Sequence, residues 1–198
     1  MNQRLKNGIK TTIFMAVLSV ILIMGVAYLH QATEPRVKLN EKFFLQQAIM
    51  KVSGTPLPDD ANEVVSWFEQ NAKQIDTNQV WSVKKDDFAE PIVVYFVQGR
   101  GLWGKIKAVA GVNPNDKSFT GVHFLEQNET PGLGARITED WFCNQLIGKR
   151  SPLKLQPEGT RSVAIDEIDG VTGATITSQA VRDMLNSISA LKGEAQGE

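Results

Sequence analysis

Cysteine is almost absent from this sequence. Cys143 is the single one in 198 residues, which excludes an internal disulfide, a cysteine-rich metal site and an iron–sulfur cluster. With no cysteine near the amino terminus, a lipidated start is excluded as well. Histidine is nearly as scarce. His30 and His123 are the only two, so a serine hydrolase lacks an aligned base. Neither sign of charge dominates, with 21 basic and 22 acidic residues and a net charge of −1. Arg4, Lys6 and Lys10 precede the first long apolar run and no acid does, so the remainder carries 18 bases against 22 acids. That balance disfavours a nucleic-acid partner. There is no internal repeat and no low-complexity tract, and 42% apolar with 22% charged residues is a globular composition, sized for one domain.

What is present begins with Thr11–Leu29, 19 residues without a charge. At about 1.5 Å per residue they are long enough to cross roughly 30 Å of hydrocarbon. The run exceeds the roughly 7–15 residues of a signal-peptide core, and Ala27–Ala32 offers no small-x-small cleavage site, so an uncleaved anchor over residues 11–30 is expected. Arg36, Lys38 and Lys42 beyond the span nearly balance the three bases before it. The short basic tail of residues 1–10, with Glu34 and Glu41 on the far side, places the amino terminus inside and the rest of the chain outside.

After a linker ending near Leu39, the spacing of Phe44, Leu45, Ala48, Ile49 and Val52 predicts an amphipathic helix over Asn40–Val52 capped by Asn40. Ser53–Pro58 breaks it, and Glu63–Gln70 reads as another short helix. Ile92–Val97 and Lys105–Val112 read as strands, Asn113–Asp116 as a turn, and Gly121–Leu125 as a third strand of an antiparallel meander. Thr138 opens a short helix through Ile147, and Ser162–Ile165 is a further strand candidate. Ser178–Leu191 is a helix with Val181, Met184, Leu185, Ile188 and Leu191 on one face and Thr177 or Ser178 as its cap. The fold class is α+β, an antiparallel sheet with packed helices behind a single transmembrane helix. The division is an amino-terminal tail (1–10), the span (11–30), a linker and helical region (31–89), the domain core (90–192) and a carboxy-terminal tail (193–198).

Three segments carry chemistry. Gly99–Gly104 fits G-x-G-x-x-G, but it leads into an alternating, strand-like stretch where a dinucleotide fingerprint would open a helix, and no acid follows on a second parallel strand. Its exposed Leu102 and Trp103 suit the wall of some other flat ligand. Glu129–Gly134 is a Pro-Gly turn whose Gly132 and Gly134 also permit close backbone approach to a ligand, with Thr130 and Leu133 beside them. Asp169–Ser178 joins small residues, several hydroxyls and a helix start. A phosphate near Thr175 would meet unpaired N–H groups and the positive end of that helix, while a simple capped helix accounts equally for the pattern. Cys143 and His123, with no partner at a telling spacing, read as core residues.

Asp169-x-x-Thr172-Gly173-Ala174-Thr175 matches the flavinylation motif D-x-x-[S/T]-G-A-T of FMN-binding domains at every fixed position. Glu129–Gly134 resembles the family's E-T-P-G-L-G segment, and Gly101-Leu102-Trp103 a third one. The likeness covers residues 90–190. With one amino-terminal span, the layout resembles the G subunit of Rnf complexes and the C subunit of sodium-translocating NADH:quinone reductase. The short chain favours the first and Gly101-Leu102-Trp103 the second.

The resemblance implies FMN held by a phosphodiester to Thr175, attached by a separate flavin transferase that uses FAD and magnesium and releases AMP. It implies Thr172, Gly173, Ala174 and Thr177 around the phosphate. Leu102, Trp103, Glu129, Thr130, Gly132, Leu133 and Gly134 are then expected near the flavin, with no metal ligands and no catalytic residue. It further implies an electron carrier within a multi-subunit, redox-driven ion pump of a bacterial inner membrane, its FMN domain on the extracytoplasmic side. Two alternatives stay open: a stand-alone anchored FMN domain feeding an extracytoplasmic reductase, and a flavin-free assembly module.

Overall fold

The structure, a computed structural model, describes residues 3–76, 79–85 and 90–194, with the side chains of 4–6 and 190–194 left undescribed. It contains two compact units, Met1–Phe43 and Phe44–Glu198.

The first unit lies in α1 (Gln3–Val52), a single helix of 50 residues. An 18-residue window with a mean hydropathy of 2.5 has none of its surface buried within the chain, so the helix is long and apolar enough to cross a membrane. Two hydroxyls at the start of the apolar run are locally satisfied. Thr11 and Thr12 donate to the carbonyls of Asn7 and Gly8, both at 3.0 Å, as a hydroxyl in hydrocarbon requires. Where the sequence suggests a linker, residues 31–39 are helical. Pro35 lies inside the helix and costs one backbone bond. Good helix formers surround it, and Glu34 pairs with Lys38 at 2.6 Å one turn on. Asn40 is therefore an interior residue and caps nothing.

The second unit is built on a five-stranded antiparallel sheet in sequential order, β1 (Ala72–Asp76), β2 (Val80–Val83), β3 (Ile92–Arg100), β4 (Lys105–Val112) and β5 (Phe119–Glu126). The expected meander is its β3–β5 half. One face receives the end of α1, where Ala48, Ile49 and Val52 are buried against Trp81, Val83, Ile92, Val94 and Val109, and Trp67 and Phe68 of α2 (Ala61–Asn71) pack on the same cluster. Asp60 caps α2 by accepting the Asn62 N–H at 2.9 Å. The opposite face carries α3 (Asp140–Gln145) and α4 (Thr175–Glu194). Phe142, Leu146, Val181, Met184, Leu185 and Ile188 bury there with Tyr95, Val97, Ala108 and Phe124, the period-2 pattern of the strands meeting the 3.6 period of the helix. Leu191, expected on that face of α4, lies outside the described side chains.

A two-stranded parallel pair, β6 (Lys154–Gln156) and β7 (Glu167–Asp169), flanks the site. β7 replaces the strand expected at Ser162–Ile165. Val163 there is 99% exposed, while Ile168 of β7 is buried. The helix expected from Thr138 to Ile147 is a 3-10 turn over Gly134–Thr138 followed by the shorter α3.

Candidate functional site around the start of α4

Arg100 pairs with Lys105 across β3 and β4, so Gly101–Gly104 is the hairpin connection, closed by a Gly101 N–H bond to the Gly104 carbonyl at 2.8 Å. The G-x-G-x-x-G pattern thus runs from the end of β3 through this hairpin connection, with no helix behind it. Leu102 and Trp103 project from the turn, 54% and 69% exposed. A cavity of about 390 Å³ opens beside them, lined also by Gln98, Arg100 and Lys105.

Beneath the turn lies Glu129, only 5% exposed. Its Oε1 accepts the Trp103 main-chain N–H at 3.0 Å, and its Oε2 accepts the Thr177 hydroxyl at 2.6 Å. Burial works to raise its pKa, but the bonds from Thr177 and from the amides of Trp103, Leu102 and Gly104 outweigh it and hold the carboxyl below its ordinary value. The indole N–H of Trp103 reaches the Thr130 hydroxyl at 3.1 Å. Gly101 and Gly134 are what let these segments close: a methyl on Gly101 would overlap Glu129 Oε1, and one on Gly134 would sit 2.7 Å from the Thr177 hydroxyl.

The other side of the α4 start is organised by Asp169, 6% exposed. Its Oδ2 accepts the amides of Gly159 and Arg161 at 2.9 and 3.0 Å. Gln145 fixes its main chain through bonds of 2.7 and 3.0 Å. The loop so held presents Glu158, which accepts the Thr172 N–H at 2.7 Å and is clamped by Arg136 at 2.7 and 3.2 Å. The Arg136 bond, with further bonds from the amide and hydroxyl of Thr172, brings the Glu158 carboxyl down to about 2.

α4 begins at Thr175, two to three residues before the expected cap. Thr177 and Ser178 therefore lie within its first turn. The Ser178 hydroxyl accepts the Val171 N–H at 2.9 Å and donates to the Ala174 carbonyl at 3.0 Å, which folds the Val171–Ala174 loop onto the helix. Gly173 takes φ +75 there, where a side chain would be strained, and a methyl on it would come within 3.0 Å of Leu133.

The four hydroxyls of the motif now separate. Thr172 is bonded to Glu158, Thr177 to Glu129 and Ser178 to its own loop. Among the described residues the Thr175 hydroxyl makes no hydrogen bond, and it is exposed at the first position of a 20-residue helix, where the leading amides have no intrahelical acceptor. The structure thus brings the three sequence segments together. Leu102, Trp103, Thr130, Gly132, Leu133, Thr172, Gly173 and Thr175 form the exposed rim, while Glu129, Gly134, Ala174 and Thr177 are buried beneath it. Exposed apolar side chains, an exposed free hydroxyl and unpaired helix amides are the parts that a flat ring ending in a phosphate requires, so this rim fits an FMN. Sequence reasoning missed Glu158, Arg136 and Gln145, which carry no motif and reach the site only through tertiary folding. Neither Cys143 nor His123 joins it. Burial pushes the Cys143 thiol up to about 11, and burial, then Lys51, lowers the His123 pKa.

Residues 101–190 match the family model described as the FMN-binding domain. This stretch is therefore similar to FMN-binding domains, and a single long apolar helix precedes it in the chain. It is 29% identical over 192 residues to the G subunit of an ion-translocating oxidoreductase complex of Methanosarcina acetivorans, covering 90% of each chain. It is 30% identical over 135 residues to the C subunit of the Na(+)-translocating NADH-quinone reductase of Vibrio anguillarum, covering 63% of this chain and 52% of that one. The chain thus spans about half the length of that reductase component. Crystal structures of the C subunit of the reductase from Parabacteroides distasonis (TM-score 0.67, 24% identity, 81% of this chain and 96% of that one) and of NqrC from Shewanella oneidensis (TM-score 0.68, 21% identity, 75% and 92%) share the fold.

Proposed function

We propose that this protein is a membrane-anchored electron carrier whose FMN is joined to Thr175 by a phosphodiester, working as one component of a redox-driven ion-translocating complex. The observation that carries the reading is the Thr175 hydroxyl, the one motif hydroxyl left exposed and without a partner at the start of α4. In the attachment step its oxygen bonds to the FMN phosphorus of FAD as the pyrophosphate breaks. AMP leaves, and the hydroxyl proton is released. A separate flavin transferase with magnesium performs this, so no base is needed within the chain.

Bound FMN supplies reversible uptake of electrons. The chain's own residues do the rest. The amides at the start of α4, with Gly173 and Ala174, accommodate the phosphate. Leu102, Trp103 and Leu133 exclude water from the ring, and Thr130 holds the Trp103 indole. The covalent tether keeps the flavin at a high effective concentration on a protein that would otherwise lose it. Coverage of 90% in both directions supports a role like that of the Methanosarcina G subunit. The basic residues before the span support a cytoplasmic amino terminus and an extracytoplasmic flavin domain in the inner membrane.

Purification from native membranes is the test. A flavin-fluorescent band of this chain that survives denaturing electrophoresis, copurifying with multi-span subunits, is expected. Fluorescence without those subunits points to a stand-alone carrier, and no fluorescence to a flavin-free module.

A further inference from the structure

Glu129 lies at the crossing of all three motif segments, yet its carboxylate has little left to offer a ligand. It is 5% exposed. One oxygen takes the Trp103 amide at 3.0 Å and the other the Thr177 hydroxyl at 2.6 Å, and Gly101 and Gly134 are packed so closely that neither accommodates a methyl group. Trp103 belongs to a hairpin turn 26 residues before Glu129 in the chain, and Thr177 to the first turn of α4, 48 residues after it. Among the described residues no other side chain is bonded to both segments.

We propose that Glu129 is a positioning residue that sets the distance between the Trp103 turn and the Thr175 end of α4, and not a ligand of the flavin. The inference rests on the reading of this site as a covalent FMN site, and it adds how the site's width is fixed. A carboxylate is suited to this by shape: two oxygens on a side chain of one length accept donors from opposite sides. Glutamine has the same reach. Its amide oxygen takes the Trp103 N–H, and the Thr177 hydroxyl, free to rotate, accepts from its NH₂ group. Aspartate keeps the charge but is one methylene too short to serve both donors. The tie therefore depends on length, and charge is secondary. The same buried contacts explain why Glu129, Gly101 and Gly134 sit within the recognisable segments although none of them reaches the rim.

The test uses the full-length protein in two states. In a Thr175→Ala background, where no flavin is attached, Glu129→Ala is expected to speed hydrogen exchange at the Trp103 amide about tenfold or more, the loss of one charge-assisted bond. The Val109 amide in the sheet centre reports that the fold is intact. Glu129→Gln restores protection and Glu129→Asp does not. If Glu129→Ala fails to fold, Thr177→Val is read instead: it speeds Trp103 exchange about twofold or more, and Thr177→Ser reverses it. Unchanged Trp103 protection in the readable variant overturns the proposal, as does rescue by aspartate without rescue by glutamine.

With Thr175 restored and the transferase present, Glu129→Ala is expected to keep its covalent flavin while native flavin emission changes about twofold or more, and Glu129→Gln to return it. Retained flavin with unchanged emission also overturns the proposal. A wild-type chain that carries no flavin on Thr175 defeats the reading of the site, and the exchange experiment still decides the role of Glu129.

Discussion

Two buried carboxylates flank the start of α4, and they differ in what they hold. Glu129 joins two segments that both reach the rim, through Trp103 and Thr177. Asp169 binds the amides of Gly159 and Arg161 within a single loop, and that loop then reaches the motif through Glu158 and Thr172. One acts across the site, the other behind it. Both stand in segments that read as cofactor motifs, and both are internal scaffolding. A motif position records what the site needs, and that includes the frame as well as the contacts.

The largest expected effect comes from breaking the frame. Asp169→Ala leaves two loop amides unpaired and should destabilise the domain by about 3 kcal/mol, since bonds to a charged acceptor are the costly ones to lose. Thermal unfolding of the full chain in detergent measures it, and Asp169→Asn should lose about half as much. An unchanged melting temperature in Asp169→Ala contradicts the role given to this residue.

Next in size is overpacking at the crossing point. Gly134→Ala brings a methyl to within 2.7 Å of the Thr177 hydroxyl and 2.8 Å of Glu129 Cβ and should cost about 2 kcal/mol. Gly132→Ala, whose methyl would meet nothing within 4 Å, is strained only by its φ of +75, about 1 kcal/mol. Equal losses in the two variants would show that Glu129 is less tightly held than its contacts indicate.

The smallest effect concerns acid. The folded value of Glu158, about 2, lies below that of an unfolded carboxylate. Ionised Glu158 therefore contributes stability above the ordinary carboxylate range, and the contribution fades as pH falls toward 2. In Arg136→Gln the folded carboxyl lies nearer its ordinary value, so the contribution is smaller and is exhausted at a higher pH. The pair is partly solvated, at 27% and 24% side-chain exposure, so the change is modest. Unfolding midpoints for the two proteins should differ most near pH 5 and converge as pH falls toward 2.5. Parallel curves would mean that Arg136 does not hold Glu158 ionised.

The comparison also explains what was legible in the sequence. The apolar span declares itself by its uncharged length, and strands β3 to β5 and α4 by composition and period, because each of these buries a full face. β1 does not. Its residues Lys73–Asp76 are exposed, so no alternation marks it, and β2 is four residues long with only Trp81 and Val83 fully buried. The helix through residues 31–39 is hidden by Pro35, whose local penalty a long, otherwise regular helix absorbs. At the site, Thr175 is legible through the motif. The partners of Thr172 and Thr177, 14 and 48 residues distant, are set by tertiary packing and have no spacing to betray them.

Peptide mass mapping of the flavinylated chain tests the central claim most directly. The FMN adduct is expected on Thr175 alone, and Thr175→Ala should abolish covalent flavin in the presence of the transferase, while Thr177→Ala retains some. An adduct on Thr172, Thr177 or Ser178, the hydroxyls already engaged within the fold, would contradict the account.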